Sequence, residues 1–346
     1  MRRLYVGAYT AVSGGSGAGL TVLEREQAGD AWRVVQVVEV DDPSFLALAG
    51  GALHVVSETT VGRVLSWPLV DGLLGGPGLV AAAGGAAPCH VALDPSSGAL
   101  VVAAYVGGTV GVLSASTADL ERVTRTLALP RGTGPVTERQ EAPHAHQVVP
   151  TPRGTVLVAD LGADRLHELR VDPLTLVPDV VAVHDLPAGS GPRHLDHLGD
   201  RLVVAGELDG HVHVLRREGE RYQLESSVPA FEGAGEHDVE RVLLSHLAVH
   251  DGRVYVAVRG RDTISVLEPR AGAGGSPGDA APLALVAEVP CGGAWPRHFA
   301  IVDDVLVCAN QGDDTVAFLP LDPVTGVPGP AVERLALGSP ACVVAA

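Results

Sequence analysis

Three histidines recur at one interval. His194, His246 and His298 are spaced by 52 and 52 residues, and each is followed 13 residues later by a polar residue: Glu207, Arg259 and Gln311. Arg193 and Arg297 stand directly before two of these histidines, and a His-x-His pair, His144 and His146, lies earlier in the chain. Imidazole, carboxylate and guanidinium are the groups that move protons and hold anions near neutral pH. Guanidiniums that converge repel one another unless an anion or a carboxylate joins them. Glu207 can serve there as a counter-ion or as an acid/base group. The His-x-His pair lacks the further ligands that a zinc site wants, so no metal and no other cofactor is expected.

These residues fall at fixed places in a repeated paragraph of sequence. Gly189 to Leu208 reads as Pro-Arg-His, a short strand, a turn at Gly199-Asp200, and a second apolar strand ending at Glu207. Copies open at Pro43-Ser44-Phe45, Pro88-Cys89-His90, Pro143-His144-Ala145-His146, Ser245-His246 and Pro296-Arg297-His298. Gly, Asp and Pro clusters between the Val-rich runs supply hairpin turns. A repeat of this length is one supersecondary unit per copy. The C-terminal stretch Ser339–Val344 resembles the start of a copy, and the N-terminal Leu4–Thr10 resembles a second strand. Together they complete one more unit. The chain 1–346 is therefore expected to be a single all-β domain, a seven-bladed β-propeller closed by pairing of its N- and C-terminal strands.

Two segments stand outside the repeat: Pro130–Ala142, a possible flap just before His144, and Ala271–Pro282, expected as an exposed rim loop. Sustained helical periodicity is absent. The net charge of −17 is attributed to solvated surface, and no basic stripe is present, so a nucleic-acid partner is not expected. Four scattered cysteines, Cys89, Cys291, Cys308 and Cys342, fit a reduced cytosolic protein better than a disulfide scaffold. The N-terminal apolar run is too short for a secretory segment, and no run is long enough to span a bilayer. The expectation is a cytoplasmic protein with no membrane partner, a monomer or a weak homodimer.

In a propeller the first strand of each blade lines the axis, and the second returns antiparallel beside it. The start of the first strand and the end of the second thus lie at one mouth. His90, His144, His146, Arg193, His194, Glu207, His246, Arg259, Arg297, His298 and Gln311 should gather there, with Tyr105 at the end of the third blade's second strand. For His90, His194, His246 and His298 a shared structural role, bonding a neighbouring blade's backbone, is the alternative to chemistry. Tyr105 has the alternative of packing at the rim.

Pro-Cys-His-Val-Ala-Leu-Asp-Pro at 88–95, Pro-His-Ala-His at 143–146, Gly-Ser-Gly-Pro-Arg-His at 189–194, Val-Arg-Gly-Arg-Asp-Thr-Ile at 258–264, and Pro-Arg-His-Phe with Ala-Asn-Gln across 296–311 resemble the β-propeller lactonase family, over nearly the whole chain. The resemblance implies hydrolysis of a small anionic sugar lactone, in the manner of propeller-type 6-phosphogluconolactonases. A sister branch closes muconate lactones instead. In that branch the working set is a His, two Arg and a Glu, which carries over to His146 (or His144), Arg193, Glu207 and Arg259. His144, His194, Arg297, His298, Gln311 and Tyr105 become the candidates for binding substrate, with Arg297 a phosphate contact. Ala104 and Val258 depart from the family's frequent Asn at those places. Lactone hydrolysis is the first reading. A cycloisomerase and a non-catalytic ligand-binding or scaffold propeller are the rivals. An enzyme demands a closed cup of Arg, His and Glu, a scaffold a broad exposed patch.

Overall fold

The computed structural model describes residues 2–27, 29–76, 78–115, 124–234, 241–269 and 283–346. The rim loop expected at Ala271–Pro282 lies outside these residues. The strands form seven antiparallel sheets, six of four strands and one of five. This is the seven-bladed propeller. Blade 1 is composite: its innermost strand Pro340–Ala345 pairs with Arg2–Ala8 through partners such as Leu4↔Ala345 and Val6↔Val343. The other inner strands are Pro43–Ala49, Pro88–Asp94, Ala145–Pro150, Pro192–Leu198, Leu243–His250 and Pro296–Val302, in blades 2 to 7.

Burial follows position in the blade. Second strands such as Ala52–Ser57 and Ala99–Ala104 are buried throughout, because neighbouring blades cover both faces. Outer strands such as Glu333–Ala336 alternate between exposed and half-buried. The apolar residues form seven main clusters, each joining two adjacent blades around the ring. Cys342 and Val343, on the strand that closes blade 1, are fully buried in two of them. Removing Pro340–Ala346 exposes both interfaces and one edge of Arg2–Ala8. At roughly 1.5–3 kcal/mol per buried aliphatic side chain, the expected loss is on the order of 5 kcal/mol, read as a fall in melting temperature of about 10 °C or more. An unchanged melting temperature would contradict closure by this strand.

One irregularity repeats in every blade. Each inner strand breaks register against its second strand at the same place, next to Pro340, Pro43, Pro88, Ala145, Pro192, Leu244 and Pro296. The residues left out of register are Ala341, Ser44, Cys89, His146, Arg193, Ser245 and Arg297, accompanied by His194 and His246 in blades 5 and 6. A bulge re-aims a side chain without ending the strand. Seven of them, stacked at one level, build a ring around the axis.

Candidate active site

Three levels of side chains meet the axis. The uppermost comes from the ends of the second strands: Tyr9, Glu58, Tyr105, Leu161, Glu207 and Gln311, each just after its strand, and Arg259, the last residue of its own. In six of these the backbone N–H donates to a carbonyl just before the inner strand, for example Glu58 to Asp42 (2.9 Å), Tyr105 to Ala87 (2.9 Å), Glu207 to Gly191 (2.9 Å) and Gln311 to Trp295 (3.1 Å). The accepting residues Asp42, Ala87, Gly191, Trp295 and Ser339 all have positive φ, and a proline follows each. Four of the five are not glycine, so the mouth holds backbone strain on the order of 1–2 kcal/mol at each. The bulge ring is the middle level. Phe45, His90, His194, His246 and His298 form the floor beneath it.

A cup of about 260 Å3 opens at the mouth, lined by Glu58, Cys89, Tyr105, Arg139, His146, Arg193, Glu207, Arg259 and Arg297. The larger depression, about 810 Å3 between blades 1 and 2, has its charged groups Glu39, Asp41 and Arg63 on exposed margins, without convergence. In the cup, by contrast, Glu207 is 2 % exposed and meets three guanidiniums. Arg139 Nη2 donates to its Oε1 at 2.6 Å, while Arg193 Nε and Arg259 Nη2 lie 2.8 and 3.0 Å from its Oε2. Arg259 Nη2 also donates to Leu244 O at 2.9 Å, and its guanidinium lies over the Trp295 ring. Arg297 donates to Tyr9 Oη and covers the Tyr9 ring, and Tyr9 donates to Glu58 Oε2 at 2.8 Å.

Burial alone would raise the Glu207 carboxyl. The charges of Arg259, Arg193 and Arg139 outweigh it and hold the group well below the usual carboxylate range. Its basicity is thereby quenched, so the structure favours Glu207 as the member that fixes the arginines. Burial and the like charge of Arg259 push Arg193 down to about 9, which leaves it charged at neutral pH. His146 is shifted in the same direction: burial first, then Arg193, pushes its pKa well below 6.5, so it is a neutral imidazole. Its Nδ1 and the Nη1 of Arg193 are buried without a hydrogen-bond partner among the described residues. A neutral base beside unsatisfied guanidinium donors can bind an anion, stabilise a developing oxyanion and accept a proton.

Of the ten residues singled out from sequence, His146, Arg193, Glu207, Arg259, Arg297 and Tyr105 line the cup. The other four do not. His144 stands behind Tyr105, ring stacked on ring at 4.4 Å, with Nδ1 against Tyr105 O (3.0 Å) and Nε2 against Glu141 Oε1 (3.1 Å). His194 and His298 belong to the floor, because the bulge carries them one level down. His194 Nδ1 bonds His246 Nδ1 at 2.8 Å, and His246 stacks on His298 at 3.9 Å. Gln311 lines no part of the cup, and its Oε1 is buried without a partner among the described residues. Glu141 does give His144 a neighbouring carboxylate, yet among the described residues no three or more His, Cys, Asp or Glu side chains are placed so that they could hold a metal ion.

The sequence reading missed Tyr9, Glu58, Cys89 and Arg139. Glu58 follows Phe45 by 13 residues, the same interval as His194 to Glu207, but Phe45 hid the match. Arg139 comes from the segment 130–142, which is a strap held in place. Gln140, fully buried, donates from Nε2 to Leu161 O (2.9 Å) and Asp164 Oδ1 (2.7 Å), and accepts at Oε1 from Val136 N (3.1 Å). These bonds anchor the segment and place Arg139 over the cup.

The comparisons with known proteins agree with this architecture. A 6-phosphogluconolactonase of Bacillus subtilis is 31% identical over 258 residues, covering 70% of this chain and 68% of the relative. An uncharacterized protein of Staphylococcus saprophyticus is 32% identical over 250 residues, 69% of this chain and 68% of the relative. The solved periplasmic gluconolactonase of Pseudomonas aeruginosa superposes with a TM-score of 0.84 at 26% identity, over 99% of this chain and 98% of that one. A solved protein from Lactobacillus plantarum superposes with a TM-score of 0.86 at 22% identity, covering both chains fully, and shows the fold. The family model described as "Lactonase, 7-bladed beta-propeller" matches residues 3–345, and the chain belongs to that family.

Proposed function

We propose that the protein hydrolyses a phosphorylated sugar lactone, in the manner of a 6-phosphogluconolactonase. The charge in the cup carries this reading. Arg139, Arg193, Arg259 and Arg297 face Glu207 and Glu58, four cationic side chains against two acidic ones. The excess of about two charges matches a phosphate dianion, and part of it is left on donors without a protein partner. The 6-phosphogluconolactonase name of the Bacillus subtilis relative supports the same substrate class.

His146 accepts the proton of the attacking water. Arg193 and Arg259 bind the carbonyl oxygen as it becomes an oxyanion, and Arg297 takes the phosphate. Glu207 keeps Arg193, Arg259 and Arg139 in register.

The test is to follow opening of 6-phosphogluconolactone, gluconolactone and a muconate lactone against their uncatalysed rates, with EDTA present. The expected order is phosphorylated lactone first, with no loss to chelation. Arg259→Lys keeps the charge but not the planar fork, so kcat and kcat/KM should fall together, by about 10–100-fold. Turnover of none of the aldonolactones would reject the function. A rise in KM alone would limit Arg259 to binding.

A further inference from the structure

Beneath the cup lies a second, smaller cavity. Its volume is about 10 Å3, close to what one water needs on the same measure. Ser44, Cys89, His146, Arg193, Arg297 and Ala341 surround it at the level of the bulges, Glu58 borders it from the level of the mouth, and Phe45, His194 and His298 close it below. The space exists because the bulge ring is uneven. In blades 4, 5 and 7 it carries large side chains, and in blades 1, 2, 3 and 6 it carries Ala, Ser, Cys and Ser. Two of the small ones are accounted for: Ser245 Oγ donates to Pro296 O at 2.6 Å, and Cys89 Sγ points at His146 O at 3.3 Å. Ser44 Oγ has no partner among the described residues, although Ser44 is 4 % exposed. On the wall shared with the cup, His146 Nδ1 and Arg193 Nη1 are likewise unpartnered among the described residues.

Buried polar atoms without partners are costly, and a chamber of this size with several such atoms suits a bound water. We propose that this chamber is the nucleophile site: it holds the hydrolytic water between Ser44 Oγ and His146 Nδ1, below the lactone carbonyl. This rests on the lactonase reading and decides its direction, because ring closure has no use for a bound nucleophile. The water oxygen forms the bond to the carbonyl carbon, and His146 Nδ1, in its Nε2–H tautomer, takes one water proton. Arg193 and Arg259 hold the oxyanion. The bond from carbonyl carbon to ring oxygen then breaks, and the ring oxygen leaves as a hydroxyl carrying the proton back from His146. Lactone plus water gives the hydroxy acid, with no other reactant. Ser44 touches the nucleophile and nothing else in the mechanism.

Two measurements test the chamber. In a crystal structure of the unliganded protein, an ordered water should lie within hydrogen-bond reach of Ser44 Oγ and His146 Nδ1. A chamber closed by side chains, or dry, overturns the proposal, whatever the activity. In kinetics, Ser44→Val fills the chamber with two methyl groups. It should lower kcat by about 100-fold while the aldonate product binds as in wild type. Ser44→Gly enlarges the chamber, so in dilute methanol it should form methyl ester, whereas wild type forms only the acid. Wild-type turnover in Ser44→Val with folding intact, or equal methanolysis by wild type and Ser44→Gly, overturns it. An ordered water in a protein that opens no lactone would instead reject the lactonase reading and leave the water site standing.

Discussion

Acidification from pH 7.5 to pH 5 should remove much of the folding stability. His90, His146, His194, His246 and His298 are buried around the axis, and burial first, then neighbouring cations, holds each below its ordinary pKa, His298 at about 3. As pH falls through 6.5 the unfolded chain binds protons at these sites before the native one does. Stability therefore falls as pH falls through 6.5. A histidine that stays neutral in the native state loses about 1.4 kcal/mol per pH unit below 6.5, so by pH 5 the group of five together forfeits on the order of several kcal/mol. That is a large share of the stability of an ordinary domain. The carboxyl of Glu207, held low by its arginines, adds a loss of the same sign only at still lower pH. Urea unfolding at pH 7.5, 6.5, 5.5 and 5.0 should show a midpoint that collapses across the series, with a shallower slope in His246→Phe. A midpoint independent of pH would mean that the floor histidines are protonated or exposed.

Replacing Glu207 by glutamine should be the most damaging single change in the cup. It leaves Arg139, Arg193 and Arg259 facing one another without the carboxylate that now pairs with all three. Breaking a buried ion pair from one side costs about 3–5 kcal/mol, because the remaining charge stays buried. The guanidiniums would also lose their orientation, so lactone turnover should fall by on the order of 100-fold. Inorganic phosphate should raise the melting temperature of Glu207→Gln more than that of wild type, since the freed arginines can take an anion in place of the carboxylate. A variant as stable as wild type and indifferent to phosphate would show that the three arginines do not depend on Glu207.

The closure of the ring was legible because hairpin chemistry and the 52-residue interval are local signals, and Ser339–Val344 carries half of one copy. The level of each side chain was not. His146 aligns by eye with His194 and His298, yet the register shifts place His146 level with Arg193 and Arg297 and drop the other two histidines to the floor. A bulge leaves no mark in composition or period, only in pairing. Arg139 was out of reach for another reason: its position depends on Gln140, whose partners Leu161 and Asp164 belong to the turn after the second strand of blade 4. Glu58 could have been found by the 13-residue interval, had Phe45 been read as a copy of His194.

The central claim is that the convergent arginines of this cup receive the anionic substrate. A crystal structure with 6-phosphogluconate, the product of the proposed reaction, tests it most directly. The carboxylate should lie against Arg193 and Arg259, the phosphate against Arg297, and C1 next to His146 above the small chamber. The product bound in the open depression between blades 1 and 2, or in the cup with its carboxylate away from Arg193 and Arg259, would contradict the account.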